Sequence, residues 1–234
     1  MKRSLLLIFL FLTGLTITGY AQKTPSPLDM GNALKEALEQ GTIKSADQLS
    51  AVNGFFGNAA IKILLPPEAK KAEKTLRNIG MGKVCDDAIL SLNRAAEDAA
   101  AQAKPIFIDA IKKMTIQDVT NILLGKSDAA TQYFRQSTSP ELTAKFQPVI
   151  KVSLDKVNAT KYYGVLASTY NKIPFVHKIS PDIANYATQK AIQGLFTEIA
   201  VQELIVRKNI GVGARATPLL QKVFAFADKK TAGQ

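Results

Sequence analysis

Two pairs of adjacent carboxylates, Asp86-Asp87 and Glu97-Asp98, and two further acids, Glu198 and Glu203, are the obvious candidates for acid–base chemistry. Paired acids cleave glycosidic bonds when they converge on one bond from two sides. Neighbouring residues on a helix point about 100° apart, however, and the chain has no tryptophan to stack on a sugar ring. A carboxylate-dependent hydrolase of the cell envelope is therefore the alternative reading rather than the first. The lone histidine, His177, and the lone cysteine, Cys85, supply too few soft ligands for a zinc site. A Ser-His-Asp arrangement would need that same histidine and lacks a Gly-x-Ser-x-Gly elbow. Cys85 falls on an apolar helical arc, where thiols are packing groups more often than nucleophiles. "GVGARA" lacks the Gly-Lys-Ser/Thr ending of a phosphate loop. No catalytic residue, no metal ligand and no cofactor is assigned.

What survives is noncovalent. Arg94 in "LNRAAE", Arg135 in "YFRQSTS" and Arg215 in "GARATPLL" each sit beside small or hydroxyl residues. A guanidinium fork clamps carboxylate or phosphate from two directions, although interhelical salt bridges use the same fork. Tyr163 and Tyr170 join them as ligand-binding candidates, with core filling as the competing role.

These side chains belong to a chain of 234 residues with net charge +11. Lys2 and Arg3 precede the apolar run Leu5–Ile17, and small residues at Gly19 and Ala21 suit cleavage before Gln22. Such a run spans about 20 Å as a helix, against a hydrocarbon core of about 30 Å. Met1–Ala21 therefore reads as a cleavable signal peptide, leaving a mature chain without a transmembrane anchor. The expected home is the periplasm, with the extracellular space as the alternative. One cysteine excludes an internal disulfide, so packing alone must hold the fold. An exported protein with no basic stretch interleaved with stacking aromatics is not expected to bind nucleic acid. Its cations are suited instead to anionic lipid, another amphiphile or an envelope protein.

The elements that position these groups read as helices. "SPLDMGNALKEALEQG" has a cap at Asp29 and a stop at Gly41, and Ser45-x-x-Gln48 starts a new helix as a capping box. Pro66-Pro67 opens a helix closing at Gly80. In "LSLNRAAEDAAAQAK", Cys85, Ala88, Leu92, Ala96, Ala99 and Ala103 fall on one arc. Asn93, Arg94, Glu97 and Asp98 fall on the opposite side, a wet face laced by Asn93–Glu97 and Arg94–Asp98 pairs. Pro105 kinks or restarts that helix, and Thr115-x-x-Asp118 caps the next. "SDAATQYFRQSTS" makes a short helix, Ser139-Pro140-Glu141 starts another, and Pro148 bends it. "ATKYYGVLASTYNKIP" ends at Pro174. Ser180-Pro181-Asp182 opens the longest uninterrupted helix, to about Asn209, whose Gly194 is explained by close helix packing. A terminal helix begins near Thr217-Pro218. "IKILL" is the one weak strand pattern. The expected architecture is all-α: one multi-helix domain over residues 22–234, with its core at about 28–228. It comprises about eight to ten helices, several short and one long and central.

The blocks "LSLNRAAEDAA", "KPIFIDAIKKMT", "DAATQYFRQSTSPEL", "TKYYGVLASTYNKIPF" and "ATPLLQKVF" resemble, in this order, a family of exported bacterial proteins known as domain of unknown function 4197. The resemblance runs from about Leu28 to Phe226 and implies an exported, helical, single-domain protein. It transfers no reaction and no catalytic residue. The reading is an exported, non-enzymatic helical protein that binds a lipid or other amphiphile, or an envelope partner.

Overall fold

The computed structural model describes residues 24–156, 158–172, 174–180 and 182–232. The signal peptide expected over Met1–Ala21 lies outside the described residues, as do Ile173 and Pro181. Among the described residues the chain forms nine α-helices, one 3-10 turn and no strand. The helices are α1 (Pro27–Ser50), α2 (Lys70–Asn78), α3 (Gly82–Ala100), α4 (Ala103–Lys113), α5 (Ile116–Leu123), α6 (Ala129–Lys156), α7 (Ala159–Asn171), α8 (Ala184–Lys208) and α9 (Pro218–Thr231). None is long and apolar enough to cross a membrane.

Several boundaries follow from capping chemistry. The Ser26 hydroxyl accepts the Asp29 N–H while the Asp29 carboxylate accepts the Ser26 N–H, and Pro27 fills the first turn of α1. Thr115 and Asp118 form the same reciprocal cap on α5, and Thr217 caps α9 ahead of Pro218. The α3 helix ends before Pro105, and α4 restarts through it.

Other boundaries depart from the sequence reading. α1 runs through Gly41 to Ser50 as one helix, so the Ser45 box is not a start. The Ser45 hydroxyl donates back to the Gly41 carbonyl and the Thr42 hydroxyl to Leu38, which satisfies both inside the helix. Gly41 lies against Gln202 of α8, where a Cβ would meet the Gln202 Cβ at 3.5 Å, an ordinary packing contact. Likewise Ser139-Pro140 does not start a helix. α6 continues through Pro140 and Pro148 for 28 residues, which makes it longer than α8, with 25. Ser137, Thr138 and Ser139 turn their hydroxyls onto the carbonyls of Tyr133, Phe134 and Arg135 instead of capping a new N terminus.

α8 is nevertheless central, packing on α1, α3 and α6. At the middle of the core, Phe107 of α4 meets Phe134 and Phe196 edge-to-face, with ring centroids 5.1 and 6.3 Å apart. The small residues Ala88, Ala95, Ala96, Ala99 and Ala100 of α3 are buried, and they let α6, α7 and α8 approach it.

Candidate functional site

The polar side of α3 is only partly a wet face, with Asp98 exposed and Arg94 half-buried. Asn93 is 0% and Glu97 4% exposed. Both are covered by residues 51–66, an irregular strap that crosses α3 between α1 and the 3-10 turn at Pro67–Ala69. Asn93 Oδ1 accepts the Ile63 N–H at 2.8 Å, and its Nδ2 donates to the Ile63 carbonyl at 2.8 Å and to the Ile89 carbonyl at 2.7 Å. One turn on, Glu97 Oε1 accepts the N–H groups of Phe55 and Phe56, each at 3.1 Å. Its other oxygen takes a charge-assisted bond from Arg94, which also holds the Asn53 side chain. The expected Arg94–Asp98 pair is absent, because Asp98 accepts the Ser153 hydroxyl of α6. A buried carboxylate and amide are tolerable only when fully paired, and backbone groups of the strap supply the partners.

The strap also packs on α8. Ile61, Ile63 and Leu65 point inward, while Lys62 is half-buried and Leu64 exposed. Gly194 of α8 makes room for them: a Cβ there would lie 2.6 Å from the Phe55 ring and 3.3 Å from Ile61. The close approach expected at this glycine is therefore to the strap rather than to another helix. Gly54 is required for a related reason, since a Cβ would sit 2.4 Å from the Gln48 carbonyl oxygen.

Strap, 3-10 turn and the N-terminal half of α8 enclose a groove of about 250 Å³. Three cations line it, Lys62, Lys70 and Lys190, together with Tyr186, Gln193, Thr197 and the apolar Ile61 and Leu64. No carboxylate lines it. The Tyr186 hydroxyl donates to the Leu64 carbonyl at 3.1 Å and fixes one wall. Lys62 stacks its ammonium over the Phe56 ring at 3.8 Å.

The five sequence-predicted residues lie outside the groove lining, and two bear on it. Arg94 locks the Glu97 strut beneath the strap. Tyr163 is buried near Tyr186 and Glu68, and burial pushes its phenol up to about 12. Tyr170 is buried in the core. Arg135 lies over the Phe196 ring at 4.7 Å. Arg215 is 8% exposed and donates to the carbonyls of Val206 and Arg207 and to the Asp228 carboxylate, tying α8 to α9. Sequence reasoning missed Lys62, Lys70, Lys190 and Tyr186, which only the strap brings together.

The remaining acids have structural partners. Asp86 bonds Arg77, which holds its carboxyl below the usual range, and Asp87 bonds Lys83. Glu198 accepts from Gln202. Glu203 accepts the N–H groups of Ala130 and Thr131 and the Thr131 hydroxyl, where its charge meets the positive end of α6. Arg207 completes the set at 2.9 Å. Cys85 is buried, with its thiol pushed up by desolvation, and His177 is exposed between α7 and α8. No cluster of three or more His, Cys, Asp or Glu suited to a metal occurs among the described residues.

The ordered blocks quoted above, now seen as α3 to α9 of one helical framework, agree with a family-model match described as "Protein of unknown function (DUF4197)" over residues 24–225. The chain belongs to this family. The match takes in α1, the strap and α3 as well as the groove wall on α8. No curated protein and no solved structure matches.

Proposed function

We propose that this chain is an exported, non-enzymatic binding protein of the periplasm whose basic groove takes the anionic headgroup of an amphiphile. The observation that carries the reading is the groove lined by Lys62, Lys70 and Lys190 with no carboxylate among its walls. Three ammonium groups around a concave surface concentrate positive potential where an anion would sit. Gln193, Thr197 and Tyr186 offer orienting hydrogen bonds, and Leu64, 51% exposed, offers apolar surface to the start of a tail. The apolar pocket among α1, α5, α6, α8 and α9 has only about 30 Å³, room for about one water, so the tail stays outside the core. The pairing of the acids in α3 and α8 with hydrogen-bond partners supports binding over hydrolysis.

The test is calorimetric titration with a short-chain phosphatidylglycerol below its micellar concentration. Lys62→Glu/Lys190→Glu is expected to weaken binding at least tenfold while leaving the helical spectrum unchanged. Equal affinity in wild type and double variant would remove the groove as the site.

A further inference from the structure

The loop between α7 and α8 presents a feature that the groove does not explain. Phe175 is fully exposed, at 107%, and has φ of +63°. A bulky side chain in left-handed backbone is uncommon and needs surroundings that hold it there. The loop base supplies them. Asn171 at the end of α7 donates from Nδ2 to the Ile179 carbonyl at 3.0 Å and accepts the Ile179 N–H at 2.9 Å. Ile179 is buried and Val176 packs partly against the core, so the C-terminal side of the loop is anchored while Phe175 projects. Lys172 and Lys178 flank the tip, both exposed, and no acid occurs between Lys172 and Ser180.

We infer that this loop is a membrane-docking tip: Phe175 enters the headgroup layer of an anionic bilayer while Lys172 and Lys178 engage lipid phosphates. A single protruding ring offers far less than the roughly 800 Å² per side of a stable protein interface. An aromatic at headgroup depth with flanking cations is a sufficient unit for peripheral lipid contact, and the loop's positive charge matches an anionic surface. The loop leads directly into α8, two turns before Lys190, so docking would bring the groove's end of α8 toward the lipid. The inference stands on the loop alone and does not need the groove to bind anything.

Wild type and Phe175→Ala, carrying the same N terminus, are compared by co-sedimentation with phosphatidylglycerol–phosphatidylcholine vesicles and with phosphatidylcholine vesicles. Phe175→Ala is expected to weaken partition onto the anionic vesicles about tenfold, as loss of one buried aromatic predicts. Lys172→Glu/Lys178→Glu is expected to weaken it about twentyfold or more. Because the chain has no tryptophan, Phe175→Trp installs a single reporter whose emission shifts to the blue on insertion. Emission that stays at its aqueous position with vesicles bound, or partition unchanged by Phe175→Ala, would overturn the inference. Phe175→Ala leaves titration with short-chain phosphatidylglycerol unaltered, and Lys62→Glu/Lys190→Glu leaves the Phe175→Trp blue shift in place, so the two readings fail separately.

Discussion

Asn93 and Ile63 exchange a pair of hydrogen bonds, each 2.8 Å long, so a side-chain amide on α3 does for the strap what a neighbouring strand would do. Both partners are buried, at 0% and 2% exposure. Asn93→Ala strips partners from two buried backbone groups, and the expected loss is about 2–4 kcal/mol in chemical denaturation. Asn93→Asp keeps an acceptor for the Ile63 N–H but sets a charge against the carbonyls of Ile63 and Ile89, so it should be no milder. An Asn93→Asp protein as stable as wild type would contradict the assignment.

Gly194 is a second point of dependence. Alanine is favoured over glycine in a helix by about 1 kcal/mol, but its Cβ would collide with the buried Phe55 ring at 2.6 Å. Overpacking of this kind costs about 1–3 kcal/mol. Gly194→Ala is therefore expected to lower the melting temperature by a few degrees and to weaken groove binding. An increase in melting temperature would show that Phe55 yields freely.

Glu203 joins the first turn of α6 to α8 through three hydrogen bonds, with Arg207 beside it. Removing one member of a buried charged pair leaves the other unpaired, so Glu203→Ala should cost roughly 3 kcal/mol and Glu203→Gln less. The amides of Ala130 and Thr131 should lose their hydrogen-exchange protection first. Uniform loss across α6 would point to global unfolding instead of a lost cap.

Burial raises the Tyr163 phenol from 10.0 to about 12 and moves Tyr133 and Tyr186 in the same direction. The folded state keeps these protons in a window where the unfolded chain has released them. The Tyr163 contribution is complete below pH 10 and is lost as the pH rises through about 12. Tyr163→Phe should flatten the alkaline fall of the denaturation midpoint, and a parallel curve for wild type and variant would refute the shift.

Much of this fold was legible from spacing. Thr115–Asp118, Pro105 and Thr217-Pro218 marked real helix ends because their signals are local, whereas the cap read at Asp29 is at Ser26, with Asp29 as its reciprocal partner inside the first turn. Gly41 and Pro140 misled because tertiary packing carries a helix through residues that would end an isolated one. The apolar arc of α3 was also right, from Cys85 to Ala99. A helical projection shows which residues share a face but not what covers it, so Asn93 and Glu97 read as solvated. The period-two pattern of "IKILL" was the available clue: Ile61, Ile63 and Leu65 do point inward. Its pairing partner was an asparagine side chain, which no strand pattern announces. The groove lysines, spread from Lys62 to Lys190, had no common motif to find.

Amide hydrogen exchange at Ile63 tests the central claim most directly, because this residue belongs to no helix and its protection must come from Asn93. The account predicts that the Ile63 amide exchanges as slowly as amides inside α3, and that Asn93→Ala speeds it to loop rates before α3 itself opens. Rapid exchange at Ile63 in the wild-type protein would contradict it.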